Sequence, residues 1–342
     1  MSNQASQSFW RAAGKRLWRD NLAKFCIFVL LVYFTVALLA KVGLVASEWN
    51  KGVGVSWANP SFMADTPNPF GKNSQMKADD EPMDAASLAL DPLASYTGKI
   101  DEAAKAYPAV VENRAWSLPI GGDKWGRDVL DKVIKGGEVS ITVGVMAALL
   151  AVTIGTVLGA ISGYFGRTIG DILEWFYNIF TAMPYFLLVL AIAGAMGTKG
   201  ISTVIIVLGL TGWTSVYRLV RAEYIKQRSR EYVQAADAIG ASQSRMMFIH
   251  ILPNVSHLVL VQLSQLVIDF IKAEVVLSFL GFGVPLDSIS WGVIINEVMV
   301  ELVLGKWWQL AAVAVVMSTF VVCFGLFTDV LRDAFDPKAN RR

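Results

Sequence analysis

The chain has 342 residues, 54% of them hydrophobic, with a mean hydropathy of +0.49 and a formal net charge of +2. That apolar excess excludes an ordinary soluble domain and points to an all-α polytopic membrane protein. The net charge says little about partners, none of which is expected to be nucleic acid. Cys26 and Cys323 both lie in apolar runs, which excludes a disulfide framework or redox pair. His250 and His257 have no carboxylate cluster beside them, so no metal site is expected.

Residues 1–24 form a basic tail, with Arg11, Lys15, Arg16, Arg19 and Lys24 against Asp20. Residues 25–46 read as a transmembrane anchor whose Lys41 can snorkel to the interface. A cleaved signal peptide is the competing reading, and the spans that follow favour the anchor. Residues 47–136 make a long hydrophilic loop without strong periodicity, its middle (73–105) flexible or loosely helical. A core of five helices occupies 137–333, followed by a short tail, 334–342.

The first core span, 139–165, is uncharged, and Gly155, Gly159 and Gly163 place one smooth face against a neighbouring helix. A turn with Arg167 and Asp171 leads to a span at 175–198, which Pro184 should kink. A shorter span at 200–217 precedes a polar, basic stretch at 218–254. Spans at 255–284 and 307–328 flank a mixed loop at 285–306.

Six transmembrane helices put both termini on one side. The stretch 218–254 has six basic residues against three acids, and both tails are basic, whereas Lys199 and Lys306 are the cations of the opposite short loops. The positive-inside rule then makes the termini and 218–254 cytoplasmic and the long loop between helices 1 and 2 extracytoplasmic.

Within the polar stretch, Ser229 can cap a helix that starts near Glu231 and runs to Ile239, where Gly240 stops it. Ser242 can cap a second helix carrying Met246, Met247, Phe248 and Ile251, which Pro253 should end. The product is a helix–Gly–helix elbow at the membrane surface, suited to being gripped by another protein.

Little else suggests chemistry. The closest approach to a phosphate-binding loop, Gly121 to Gly126 and then Arg127 and Asp128, lacks the Lys-Ser/Thr pair, so no cofactor is expected in this chain. Any ATP it uses must be bound by another subunit. Asn254-Val255-Ser256 matches a glycosylation pattern but abuts the cytoplasmic face. Asp269 and Lys272, three residues apart, can neutralise each other. Glu274 lies on a different face without a local partner. It and Ser278 are the candidate translocation-path residues, with pairing to another subunit as the alternative for Glu274. An ion-gradient-driven secondary transporter should show an inverted repeat or paired broken helices, and only Pro184 hints at one. A membrane-bound enzyme would need a nucleophile–base–acid set, which is lacking.

The stretch YVQAADAIGASQSRMMFIHILPN resembles the EAA loop of ABC-importer permeases, through Ala235, Ala236, Gly240, Leu252 and Pro253. Three further stretches are similar to the second, C-type permease subunit of the dipeptide/oligopeptide/nickel family: IGGDKWGRDVLDKVI, LSFLGFGVPLDSISWGVII and LRDAFDPK. Gly122 stands where that family usually has Thr, Leu286 where a second Pro is common, and the first loop is longer than in most relatives. The resemblance implies a type I ABC importer permease fold in a bacterial cytoplasmic membrane. It further implies a homologous second permease subunit, two cytoplasmic ABC ATPases and an extracytoplasmic substrate-binding protein. Glu231, Ala235, Ala236, Gly240, Leu252 and Pro253 would couple to the ATPase, and the cargo would be peptides, with nickel complexes or small glycans as alternatives. The tryptophans Trp49, Trp57, Trp116 and Trp125 would contribute a dock for the binding protein, against the alternative of scattered aromatics in a solvated loop.

Overall fold

The computed structural model describes residue 14 and residues 17–63, 114–285 and 288–335. Arg11, Lys15, Arg16, the loop segment 73–105, Leu286 and the basic residues of the last tail lie outside the described residues. Two compact units emerge, Glu48–Leu130 and the remainder of the chain.

In the larger unit, helix α1 (Asn21–Val42) starts four residues ahead of the expected anchor, because the Asp20 side chain accepts from the amides of Leu22 and Ala23. Gly43, with φ +80°, ends it. Helix α1 packs on α10 (Trp308–Phe335), where the Tyr33 hydroxyl donates to the Val316 carbonyl at 2.8 Å and its ring meets Phe320 edge-on. Helix α2 (Val129–Phe165) is 37 residues long, about 55 Å at 1.5 Å per residue. It begins ten residues before the expected span. In the added turns Lys132 pairs with Glu297 at 2.7 Å and Lys135 with Glu138 at 3.0 Å.

Pro184 does more than kink its span. Helices α3 (Arg167–Ala182) and α4 (Tyr185–Met196) meet at 91°, with Pro184 occupying the N-cap of α4. Helices α5 (Ile201–Thr211) and α6 (Thr214–Arg228) are nearly continuous through Gly212, so the third core span extends well into the basic stretch. A short helix α7 (Glu231–Ala238) precedes α8 (Gln243–Phe279), the helix that contacts α6, α9 and α10. The supposed mixed loop holds helix α9 (Trp291–Val303), capped by the Ser290 side chain on the Val293 amide. At 13 residues α9 is too short to cross a bilayer. Among the described residues five helices are long and apolar enough to cross a membrane, or six if the bent α3–α4 pair forms one span.

The glycine face of α2 packs as its spacing requires. A Cβ on Gly155 would stand 2.6 Å from the Trp213 carbonyl oxygen, one on Gly159 2.7 Å from that of Tyr217, and one on Gly163 2.6 Å from that of Arg221. Helices α2 and α6 therefore touch backbone to backbone over about two turns, with Arg221 also reaching Ser162 (3.0 Å) and Glu174 of α3 (3.3 Å).

Among the described residues, the smaller unit holds the strands that depart from an all-helical reading. Strands β1 (Gly54–Pro60) and β2 (Ala115–Leu118) pair in parallel, Gly54 opposite Ala115 and Pro60 opposite Leu118. The Gly-Asp-Lys-Trp-Gly-Arg-Asp motif folds against β1, with Gly126 and Asp123 accepting from the amides of Gly54 and Trp57. Asp123 is fully buried and accepts from the amides of Trp125 and Arg127 and from Arg127 Nε at 2.6 Å. Gly126 has φ +74°, and any Cβ there would collide with the Gly54 carbonyl. Lys124 and Arg127 lie over the Trp125 ring at 4.0 and 4.2 Å.

Candidate functional site

The elbow begins one residue later than Ser229 suggested. Ser229 closes α6 by donating its hydroxyl to the Lys226 carbonyl, and the N-cap of α7 is Arg230, in extended conformation without a side-chain cap. Glu231 opens α7 in its first turn, where its charge complements the helix dipole. Only Val233 and Ala236 of α7 are buried; Glu231, Ala235 and the rest face out.

Gly240 then performs the expected stop. At φ +80° it donates to the Asp237 carbonyl at 2.8 Å while Ala241 donates to that of Ala236 at 3.1 Å, the paired bonds of a Schellman motif. The space around Gly240 is open, so backbone conformation rather than crowding demands glycine here. Beside it stands Ile239, 86% exposed.

Ser242 caps the next helix through the Arg245 amide, as expected. Pro253, however, does not end that helix. The helix widens into a π-helical stretch at Met246–Ile251, with the Leu252 amide bonded to the Met247 carbonyl, and runs on without interruption. A proline has no N–H and its ring crowds the carbonyl four residues back. The wider π turn absorbs that crowding, and the Asn254 side chain donates to the His250 carbonyl at 2.8 Å. Leu252 is half-buried and Pro253 exposed at this junction. The elbow's second helix and the following span are thus one 37-residue element.

Tyr224 ties the elbow down. It is fully buried on α6, and its hydroxyl donates to the Met247 carbonyl at 3.1 Å, inside the π stretch. Met246, Met247 and Ile251 are buried around it, while Phe248 and Ile249 are exposed. Tyr232 donates to Gln227 at 2.9 Å, and partial burial raises its pKa. A cleft of about 460 Å³, lined by Tyr164, Arg167, Arg228 and Asp237 among others, lies behind α7. Tyr224 and Ile239 escaped the sequence reading. The signal for Tyr224 was available, since it continues the face of α6 on which Gly163 rests.

Glu274 and Ser278 lie elsewhere, toward the far end of α8, and are 0% and 4% exposed. The Glu274 carboxylate accepts from Ser140 Oγ on α2 and from Ser278 Oγ, each at 2.7 Å, and from the Ser290 hydroxyl. Ser140 Oγ in turn accepts from the Trp291 amide at 3.2 Å and Ser278 Oγ from the Val284 amide at 3.0 Å. The Trp291 indole donates to the Val133 carbonyl at 3.1 Å. Both residues are buried in this conformation, and their hydrogen bonds join α2, α8 and the start of α9. Asp269 and Lys272 do pair, at 3.0 Å.

Residues 155–341 match the family described as "Binding-protein-dependent transport system inner membrane component". The chain is 37% identical over 231 residues to the dipeptide transport system permease protein DppC of Bacillus subtilis (strain 168), covering 66% of this chain and 72% of that one. It is 35% identical over 221 residues to the oligopeptide transport system permease protein OppC of the same organism, covering 65% and 72%. A solved structure titled "Crystal structure of an amino acid ABC transporter with histidines" is similar at 13% identity and TM-score 0.44, covering 60% of this chain and 94% of that one. The chain belongs to the family of binding-protein-dependent transport system inner membrane components, with the helical membrane architecture of ABC-importer permeases.

Proposed function

We propose that this permease subunit imports peptides, taking them from an extracytoplasmic binding protein and drawing on ATP hydrolysed by two separate cytoplasmic ABC ATPases. A homologous second permease subunit completes the pathway in the bacterial cytoplasmic membrane. The dipeptide and oligopeptide permeases among its relatives support the cargo class. In this reading the termini and the elbow are cytoplasmic and the 47–136 loop is outside, as the distribution of basic residues favours. Trp116 and Trp125, 42% and 48% exposed, then give the binding protein apolar contacts.

The single observation that carries the mechanism is the exposed α7 joined to α8, one unbroken helix that continues from the elbow through the membrane. A push on α7 reaches the π stretch of α8, against which α7 packs, and Tyr224 passes it on to α6. Residues Glu231, Ala235, Ala236, Gly240, Leu252 and Pro253 are the coupling set. Replacing Gly240 by Pro forces φ to about −65° and deletes the amide bonded to Asp237. Ala236→Glu puts a charge into a buried position under α7. Each variant should insert and assemble yet lose binding-protein-stimulated uptake of a dipeptide in proteoliposomes. Normal uptake by either variant refutes the coupling role.

A further inference from the structure

Helix α8 carries a second polar feature that neither the elbow nor the Glu274 cluster uses. Gln262, Gln265, Asp269 and Lys272 are spaced by three, four and three residues and lie on one stripe, every one of them partly or fully exposed in this chain. The stripe crosses about three turns of a helix long and apolar enough to span a membrane. Against lipid tails each charge there would cost about 2.5–3.5 kcal/mol, so the stripe faces either water or protein.

A recess of about 430 Å³ opens beside Asp269 and Lys272, large enough for a small ligand. Its other walls include Tyr185 and Phe186 just after the 91° bend, and Gly212 and Ser215 at the α5–α6 junction. Broken helices within a membrane are tolerated where the freed backbone is covered by protein or lines a water-filled cavity. A helix break and the charged end of a polar stripe bordering one recess favour the cavity. The Asp269–Lys272 pair has no net charge, and both side chains are about half exposed, 46% and 50%. It therefore presents one anion and one cation side by side, a match for a molecule that carries one of each.

We propose that the stripe from Gln262 to Lys272 is this subunit's wall of the aqueous cargo route, and that Asp269 and Lys272 form a dipolar subsite for a zwitterionic cargo. Asp269 takes the ammonium terminus of a short peptide, Lys272 its carboxylate, and the apolar faces of Tyr185 and Phe186 accommodate side chains. The subsite rests on the permease reading and adds to it where the cargo touches this chain.

The test uses the complete complex in proteoliposomes, with Cys26 and Cys323 replaced by Ser. Gln265→Cys probes the stripe, and Val322→Cys on α10, 57% exposed on an apolar face, is the control. A membrane-impermeant cationic thiosulfonate should label the Gln265 site at least tenfold faster than the Val322 site. That rate should change at least threefold when vanadate traps the ATPases. Lys272→Met should cut tripeptide uptake at least tenfold and Lys272→Arg restore most of it, with a smaller loss for the same peptide acetylated and amidated at its ends. Equal labelling of the two cysteines in every nucleotide state, or undiminished tripeptide uptake by the Lys272→Met complex, overturns the proposal. Wild-type proteoliposomes that move no peptide at all would instead refute the cargo assignment, and the labelling comparison would still report on the stripe.

Discussion

At one end of α8 the elbow turns most of its surface outward: α7 buries two side chains, stands on a Schellman turn with open space around it, and presents Ile239 at 86% exposure. At the other end Glu274 is completely enclosed, its carboxylate occupied by hydroxyls from three segments. The same helix is thus loosely covered where a partner would push on it and firmly tied where it meets α2 and α9. A rigid element anchored at one end and exposed at the other transmits displacement rather than absorbing it. The contrast also explains why the two ends should respond differently to substitution.

The largest loss of stability is expected at the enclosed end. Glu274→Ala strands the hydroxyls of Ser140 and Ser278 and opens a void, a cost of about 3 kcal/mol. Glu274→Gln keeps the shape and, because serine hydroxyls rotate, most of the bonds, at about 1 kcal/mol. Thermal unfolding of the purified complex should rank wild type, Gln, then Ala. Equal melting temperatures for the Ala and Gln variants would show that the polar cluster does not anchor α8.

The seam between α2 and α6 comes next. Gly159→Leu must place its Cβ where the Tyr217 carbonyl oxygen now stands at 2.7 Å, and a backbone atom cannot rotate away. Overpacking of this kind costs about 1–3 kcal/mol. Separation of α2 from α6 would also loosen the Tyr224 tie to the π stretch. Uptake should therefore fall further than the melting temperature alone predicts, a difference that paired uptake and unfolding measurements on Gly159→Leu would register. A fall in melting temperature with intact uptake would place the seam outside the coupling route.

What could be read from sequence was local. The glycine face, the Gly240 stop and the Ser242 cap depend on spacings of a few residues, and the structure has each of them. The features that could not be read are long-range or compensated. Ser140 lies 134 residues from Glu274, so no local pattern announces their bond. Lys132 pairs with Glu297, 165 residues away. The pairing of Gly54 with Ala115 likewise joins segments separated by a long polar insertion. Pro253 misled for a different reason: the rule that proline stops a helix assumes α-helical turns, and a π-helical stretch satisfies the backbone in another way. The 91° break at Pro184 exceeds what a proline alone requires, and the chain near it gives no further sequence cue.

The smallest effect on stability is expected at Ile239. Its side chain touches little in this chain, so Ile239→Asp should change unfolding free energy by less than about 0.5 kcal/mol. If α7 is the part an ATPase grips, that same side chain becomes buried on assembly. Burying a side chain of this size contributes about 1.5–3 kcal/mol, which corresponds to roughly ten- to hundredfold in affinity. Co-purification of the ATPase with the permease pair, titrated in detergent, should show that loss for Ile239→Asp while the melting temperature of the permease pair stays at the wild-type value. An unchanged affinity would mean that the exposed tip of the elbow is not a contact, and that coupling must enter through the buried face of α7 or the cleft behind it instead.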